Sequence, residues 1–173
     1  MVITYHGAVF CKVSQGDTTV AFGSPGKKGP FIRKSGQEPF LIEGPGEYEV
    51  GGITVRGFAN ELYSLIWDDI SFCHSGMVIR AELPPEALES IGDVDVLFVY
   101  LDEVEGLNAK DAHKLAKQLE PKIIIPLSGA KGSNELRAFL KESGVSPDPL
   151  EKFTFKKRDI EGRNGAIILL KTA

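Results

Sequence analysis

Three histidines, two cysteines and a set of serines and carboxylates are the side chains of this 173-residue chain whose types carry chemistry. A catalytic divalent metal needs about three nitrogen, oxygen or sulfur ligands, and H-x-H or H-E-x-x-H spacing is the usual way a chain brings two rings to one ion. His6, His74 and His113 form no such pair. His113 lies in a helix-forming stretch and reads as a partly exposed helical residue, whereas His6 ends the first predicted strand and reads as structural. His74 sits in Phe72-Cys73-His74-Ser75-Gly76, where a strand meets a turn. Ser24, Ser75 and Ser128 are potential nucleophiles beside it. The chain lacks Gly-x-Ser-x-Gly, however, and no helix is predicted directly after any of these serines to build a nucleophile elbow. Glu43, Glu47 and Glu49 offer paired carboxylates, which do acid–base work when burial splits their pKa values. Glycines at 44, 46, 51 and 52 mark that segment instead as a loop shaped by its backbone turns. The tract 23–29 resembles a phosphate loop, yet it lacks the Gly-Lys-Ser/Thr spacing and a following helix. Cys11 and Cys73 lie in apolar, strand-like segments without a C-x-x-C partner, so they read as buried reduced thiols.

The elements that must position these groups change period midway. Apolar and β-branched residues predict strands at 2–5, 9–13 and 18–22, with Gln15-Gly16-Asp17 as turn residues between the last two. Residues 23–38 turn to Gly, Pro, Lys and Ser and predict a long exposed loop. Strands resume at 40–43, 52–58 and 62–67, and Asp68-Asp69 makes a tight turn into 70–73. Pro85 opens a short amphipathic helix to Ile91. The apolar run 94–101, broken only by Asp95, predicts a strand buried on both faces. Asn108 caps a helix through Leu119, with Ala109, Ala112, Leu115, Ala116 and Leu119 at helical spacing. Residues 122–125 form another buried strand, and Ser133 caps a helix over 134–143. Closing strands are predicted at 152–156 and 166–170. A meander of half-buried strands followed by strand–helix–strand units predicts an α/β (α+β) protein, a four-layer αββα sandwich in a single domain over residues 1–173.

Composition sets outer limits. An apolar content of 42% suits one soluble globular core, while a formal charge of −4 and a pI near 5.5 argue against a general nucleic-acid or anionic-membrane surface. The clusters Lys27-Lys28, Arg33-Lys34 and Lys156-Lys157-Arg158 read as solvated charges, with no aromatic interleaving around them. No basic leader followed by an apolar run opens the chain, and no apolar run spans a bilayer, which predicts a cytoplasmic protein.

Segments at 44–50 (Gly-Pro-Gly-Glu-Tyr-Glu-Val), 91–97 (Ile-Gly-Asp-Val-Asp-Val-Leu) and 119–126 (Leu-Glu-Pro-Lys-Ile-Ile-Ile-Pro), together with the Cys-His-Ser-Gly turn, resemble the metallo-β-lactamase superfamily, in the branch of L-ascorbate-6-phosphate lactonase-like proteins. The likeness runs from about residue 2 to 128 and implies the αββα fold. It also implies where a metal site would lie, and there the chain departs from the family. The family's Gly-His-Ser is Gly7-Ala8-Val9 here, and its Asp-Pro is Ser24-Pro25. The interval that would hold His-x-His-x-Asp-His, between Pro25 and Gly44, contains neither histidine nor aspartate. The aspartate after Cys-His-x-Gly falls on Met77, and the last histidine falls on Ser128. His74 alone of these positions is kept, and the resemblance places it beside the site.

A catalytic metal lowers the pKa of its bound water only when a ligand shell holds it, and a thioether or neutral hydroxyl replaces that shell poorly. Two function classes follow. One is a catalytically silent member of the fold that binds a small molecule or a protein, with no cofactor. The other is a hydrolase of a lactone or phosphoester with an altered site that recruits zinc or another divalent metal. Ser24, Glu47, Asn60, His74 and Ser128 are the candidate pocket residues in either case, and none is assigned as catalytic. Strands 20–22 or 167–170 at sheet edges predict pairing with a second copy as a homodimer. The resemblance points to a prokaryotic source.

Overall fold

The structure is a computed structural model that describes residues 1–26, 29–129 and 133–173. Lys27-Lys28 and part of the tract 23–29 therefore lie outside the described residues.

Strands β1 (Val2–Tyr5), β2 (Cys11–Gln15), β3 (Thr18–Phe22), β4 (Phe31–Lys34), β5 (Phe40–Leu41) and β12 (Phe153–Thr154) make an antiparallel sheet in the order β12-β1-β2-β3-β4-β5. The second sheet runs β13-β11-β10-β9-β8-β7-β6. Its antiparallel half is β6 (Gly46–Val50), β7 (Ile53–Gly57), β8 (Tyr63–Trp67) and β9 (Ile70–His74). Its parallel half continues from β9 through β10 (Val96–Leu101), β11 (Ile123–Ser128) and β13 (Ala166–Ile167).

Parallel neighbours require crossovers, and helices supply them. Helix α1 (Pro85–Ile91) links β9 to β10, α2 (Ala109–Leu119) links β10 to β11, and α3 (Asn134–Ser143) follows β11. The predicted caps form: the Asn108 side chain accepts the Asp111 N–H at 2.8 Å, and Ser133 accepts the Leu136 N–H at 3.1 Å. Ala112, Leu115 and Phe139 bury against Cys73, Leu97, Val99 and Leu101, which face outward from the second sheet. Its alternate residues, including Phe72, Val96, Phe98 and Tyr100, face inward and meet Ile3, Tyr5, Val13, Val20 and Phe22 of the first sheet. The expected sandwich of two sheets with helices is thus present, with α1–α3 massed on one side. A one-turn α4 (Lys157–Ile160) buries Ile160 in the inter-sheet core. No helix among the described residues is long and apolar enough to cross a membrane.

Four sequence expectations are corrected. The loop over 23–38 contains β4, because Phe31 and Ile32 find a partner in β3 despite their Gly, Pro and Lys surroundings. That strand, with β5 beyond it, places residues 20–22 inside the sheet rather than at its edge. The glycine-rich carboxylate segment is strand β6, paired with β7 through a two-residue turn at Gly51-Gly52 whose φ values are 58° and 79°. Glycines at that turn make the tight hairpin, not a loop. The closing strand predicted over 152–156 stops at Thr154, because the basic run at 156–158 leads into helix α4, with Lys156 N–H bonded to the Asp159 carboxylate, and its side chains stay exposed as expected.

Candidate functional site

Alternation along β9 turns Cys73 toward the helices and His74 toward the opposite sheet. His74 is buried there, stacked on Phe22 with ring centroids 5.0 Å apart and tilted against Phe98 at 5.9 Å. Its Nε2 lies 3.1 Å from the Val9 carbonyl oxygen, and its Nδ1 accepts the Gly76 N–H at 3.1 Å. A carbonyl can only accept and an N–H can only donate, so the ring is a neutral imidazole with its proton on Nε2. Burial drives its pKa down to about 4. Both nitrogens are consumed in holding two loops together, leaving no lone pair for a metal.

The turn after His74 is closed from above. Gly76 has φ +56°, and a Cβ there would stand 2.0 Å from the Glu61 carbonyl oxygen, so only glycine fits. Met77 N–H bonds the Asn60 carbonyl at 2.9 Å. Asn60 itself is exposed and left-handed at φ 59°. It lines a cleft of about 690 Å³ with Glu43, Pro45, Phe58 and Tyr63. Ser75 is fully buried and carries the sheet onward, its Oγ accepting the Tyr100 N–H at 2.9 Å.

Across the gap, Tyr5 joins the two sheets. Its hydroxyl accepts the Ser128 N–H at 3.0 Å and reaches the carbonyl oxygens of Ser128 and Ala8. Burial pushes its pKa up. Burial, with Asp102 beside it, also raises Tyr100 to about 12. Asp102 is held low by the Val104 and Glu105 N–H groups, at 2.9 and 3.1 Å, and accepts the Tyr100 hydroxyl at 3.3 Å. Ser128 is buried at the end of β11 and lines a second cleft, of about 490 Å³, with Tyr5, Leu136, Glu151 and Lys171.

The five candidates are therefore dispersed. Asn60 reaches the His74 turn through its backbone, and Ser128 meets Tyr5. Ser24 is half-buried after β3, while Glu47 is exposed on the outermost strand, 3.0 Å from Arg56 on β7. Sequence reading missed Tyr5, Tyr100 and Asp102. A tyrosine facing inward with Ile3 does carry a signal, since a buried hydroxyl must find a partner.

Among the described residues, no three His, Cys, Asp or Glu side chains converge as a metal shell. The thiols fit no better: burial raises Cys73 to about 12 and Cys11 further, so both stay protonated. Among the described residues, His74, Cys11 and Cys73 thus make a poor donor set for a divalent metal.

The family described as the beta-lactamase superfamily domain matches residues 28–128. Among solved structures, a protein from Thermotoga maritima classed as a Zn-dependent hydrolase of the metallo-β-lactamase superfamily is 21% identical. It aligns over 99% of this chain and 100% of its own, with a TM-score of 0.73. Igni18, a metallo hydrolase from Ignicoccus hospitalis, is 11% identical over 90% of this chain and 99% of its own, with a TM-score of 0.55. These likenesses are of fold. A stretch of 95 residues, 51% of the chain, is 30% identical to part of the glycine–tRNA ligase beta subunit of Gloeothece citriformis, spanning 13% of that protein's length. From the family match across its middle, the chain belongs to the metallo-β-lactamase superfamily.

Proposed function

We propose that this chain is a metallo-β-lactamase-fold protein that acts by binding a partner, without metal-dependent hydrolysis. The observation that carries this reading is the use made of His74. The one histidine kept from the resembling motifs spends both ring nitrogens on backbone groups inside an aromatic stack. Ligating a metal through it would orphan either the Val9 carbonyl or the Gly76 N–H in a buried place, at a cost of about 1–3 kcal/mol, and would still leave the ion short of ligands.

Metal analysis of protein purified without chelator tests the reading. Zinc, iron and manganese are each expected far below one equivalent, with the thermal midpoint unchanged by EDTA. Near-stoichiometric metal, or turnover of a lactone or phosphodiester that disappears on chelation, would establish the altered hydrolase instead.

A further inference from the structure

The two sheets have four edges among the described residues, and three are blunt. β5, β12 and β13 are two residues long each, whereas β6 presents five residues, Gly46–Val50. A long unpaired edge is a ready template for another strand. The register states which groups it offers. Val50 and Ile53 flank the two-residue turn and form its hydrogen-bonded pair, so Tyr48 and Gly46 also direct their backbone groups to β7. The N–H and C=O of Glu47 and Glu49 then point away from the sheet.

The side chains on this edge are two-faced. Glu47 and Glu49 stand on the exposed face, and Tyr48 and Val50 pack half-buried against the inter-sheet core. At the Gly46 end lies the cleft of about 690 Å³ lined by Leu41, Pro45, Phe58 and Tyr63, together with Glu43 and Glu61. We infer that the open edge of β6 takes up an extended protein segment as an added strand, with basic residues alternating with apolar ones. Basic side chains would lie beside Glu47 and Glu49, extending the charge alternation that Arg56 begins on the other flank. Apolar side chains would continue the surface of Tyr48 and Val50. A second copy is a poor occupant, because antiparallel pairing of β6 with itself through these outward residues sets glutamate against glutamate.

This inference rests on the partner-binding reading above. Its test uses the intact protein, a synthetic peptide of alternating lysine and valine, and two controls: a glutamate–valine peptide and a scrambled peptide of the same lysine and valine content. Binding is expected only for the first. It should slow amide exchange at Glu47 and Glu49 while leaving Tyr48 and Val50 unchanged, and it should weaken about tenfold or more in the E47K/E49K double variant. Glu49→Pro removes an outward N–H without touching the β6–β7 ladder and should also weaken binding. Equal binding of the controls, unchanged exchange at Glu47 and Glu49, or indifference to both variants overturns the inference. So does a concentration-dependent dimer that Glu49→Pro abolishes. Metal content separates the two failures: bound metal removes the partner-binding reading, whereas a metal-free protein that ignores the peptide removes the added strand alone.

Discussion

His74 and Asp95 are both buried at the ends of adjoining parallel strands, and the protein treats them in opposite ways. His74, at the end of β9, is surrounded by two aromatic rings and two backbone groups, and burial keeps it neutral with a pKa of about 4. Asp95, just before β10, receives Lys122 Nζ at 2.7 Å, Ser71 N–H at 2.9 Å and Ser71 Oγ at 3.3 Å. Burial pushes its pKa up, but these donors outweigh that penalty and hold the carboxyl below its ordinary value. Burial thus ends in an uncharged clasp at one end of the sheet and an ion pair at the other. The partners that the register supplies decide which form is cheaper.

Removing the ring at the neutral end should have the largest effect. His74→Ala empties the space between Phe22 and Phe98 and orphans the Val9 carbonyl and the Gly76 N–H. A loss of about 3–5 kcal/mol in urea unfolding is expected. A loss below about 1 kcal/mol would show that the clasp holds nothing.

Acid separates the two ends further. Below pH 6.5 the unfolded chain protonates His74, but the folded chain does so only near pH 4. The unfolded state binds more protons in that window, so stability should fall by about 3 kcal/mol as pH drops from 6.5 to 4, with no contribution from this group above it. Asp95 is shifted in the same direction, but there the depression marks a favoured charged form: its contribution is present above its unfolded value of 3.8 and is lost as pH falls through the lower folded value. Unfolding midpoints taken across both windows should resolve two steps, with His74→Phe flattening only the upper one.

At the charged end, Lys122→Met should cost about 2 kcal/mol at neutral pH, because Asp95 keeps its burial without its cation. Lys122 is 33% exposed, so water screens part of the loss. Adding Asp95→Asn should recover much of that cost, and failure to recover it would mean that the pair is not the cause. The smallest effect belongs to the exposed pair: Glu47→Ala breaks the contact with Arg56, and a change under about 0.5 kcal/mol is expected in the same unfolding measurement.

Much of the frame was legible in residue order. Asn108 and Ser133 announced the caps of α2 and α3, the apolar runs announced β10 and β11, and Cys-His-Ser-Gly announced a turn at a strand end. What escaped was local weakness rescued by pairing. Phe31-Ile32 is too short an apolar run to predict a strand alone, and Gly-Pro-Gly-Glu-Tyr-Glu-Val looks like a loop until β7 lies beside it. Tyr5 escaped as a partner of Ser128 for a related reason, since the two are 123 positions apart and meet only when the sheets close.

The alternating faces, the helix ends and the scarcity of histidines depend on residue type and local spacing, and residue order alone carries them. The state of His74 and the exposure of β6 arise when the sheets assemble. A histidine's protonation depends on which carbonyl and which N–H reach its nitrogens, and an edge is open only when no neighbouring strand arrives to pair with it.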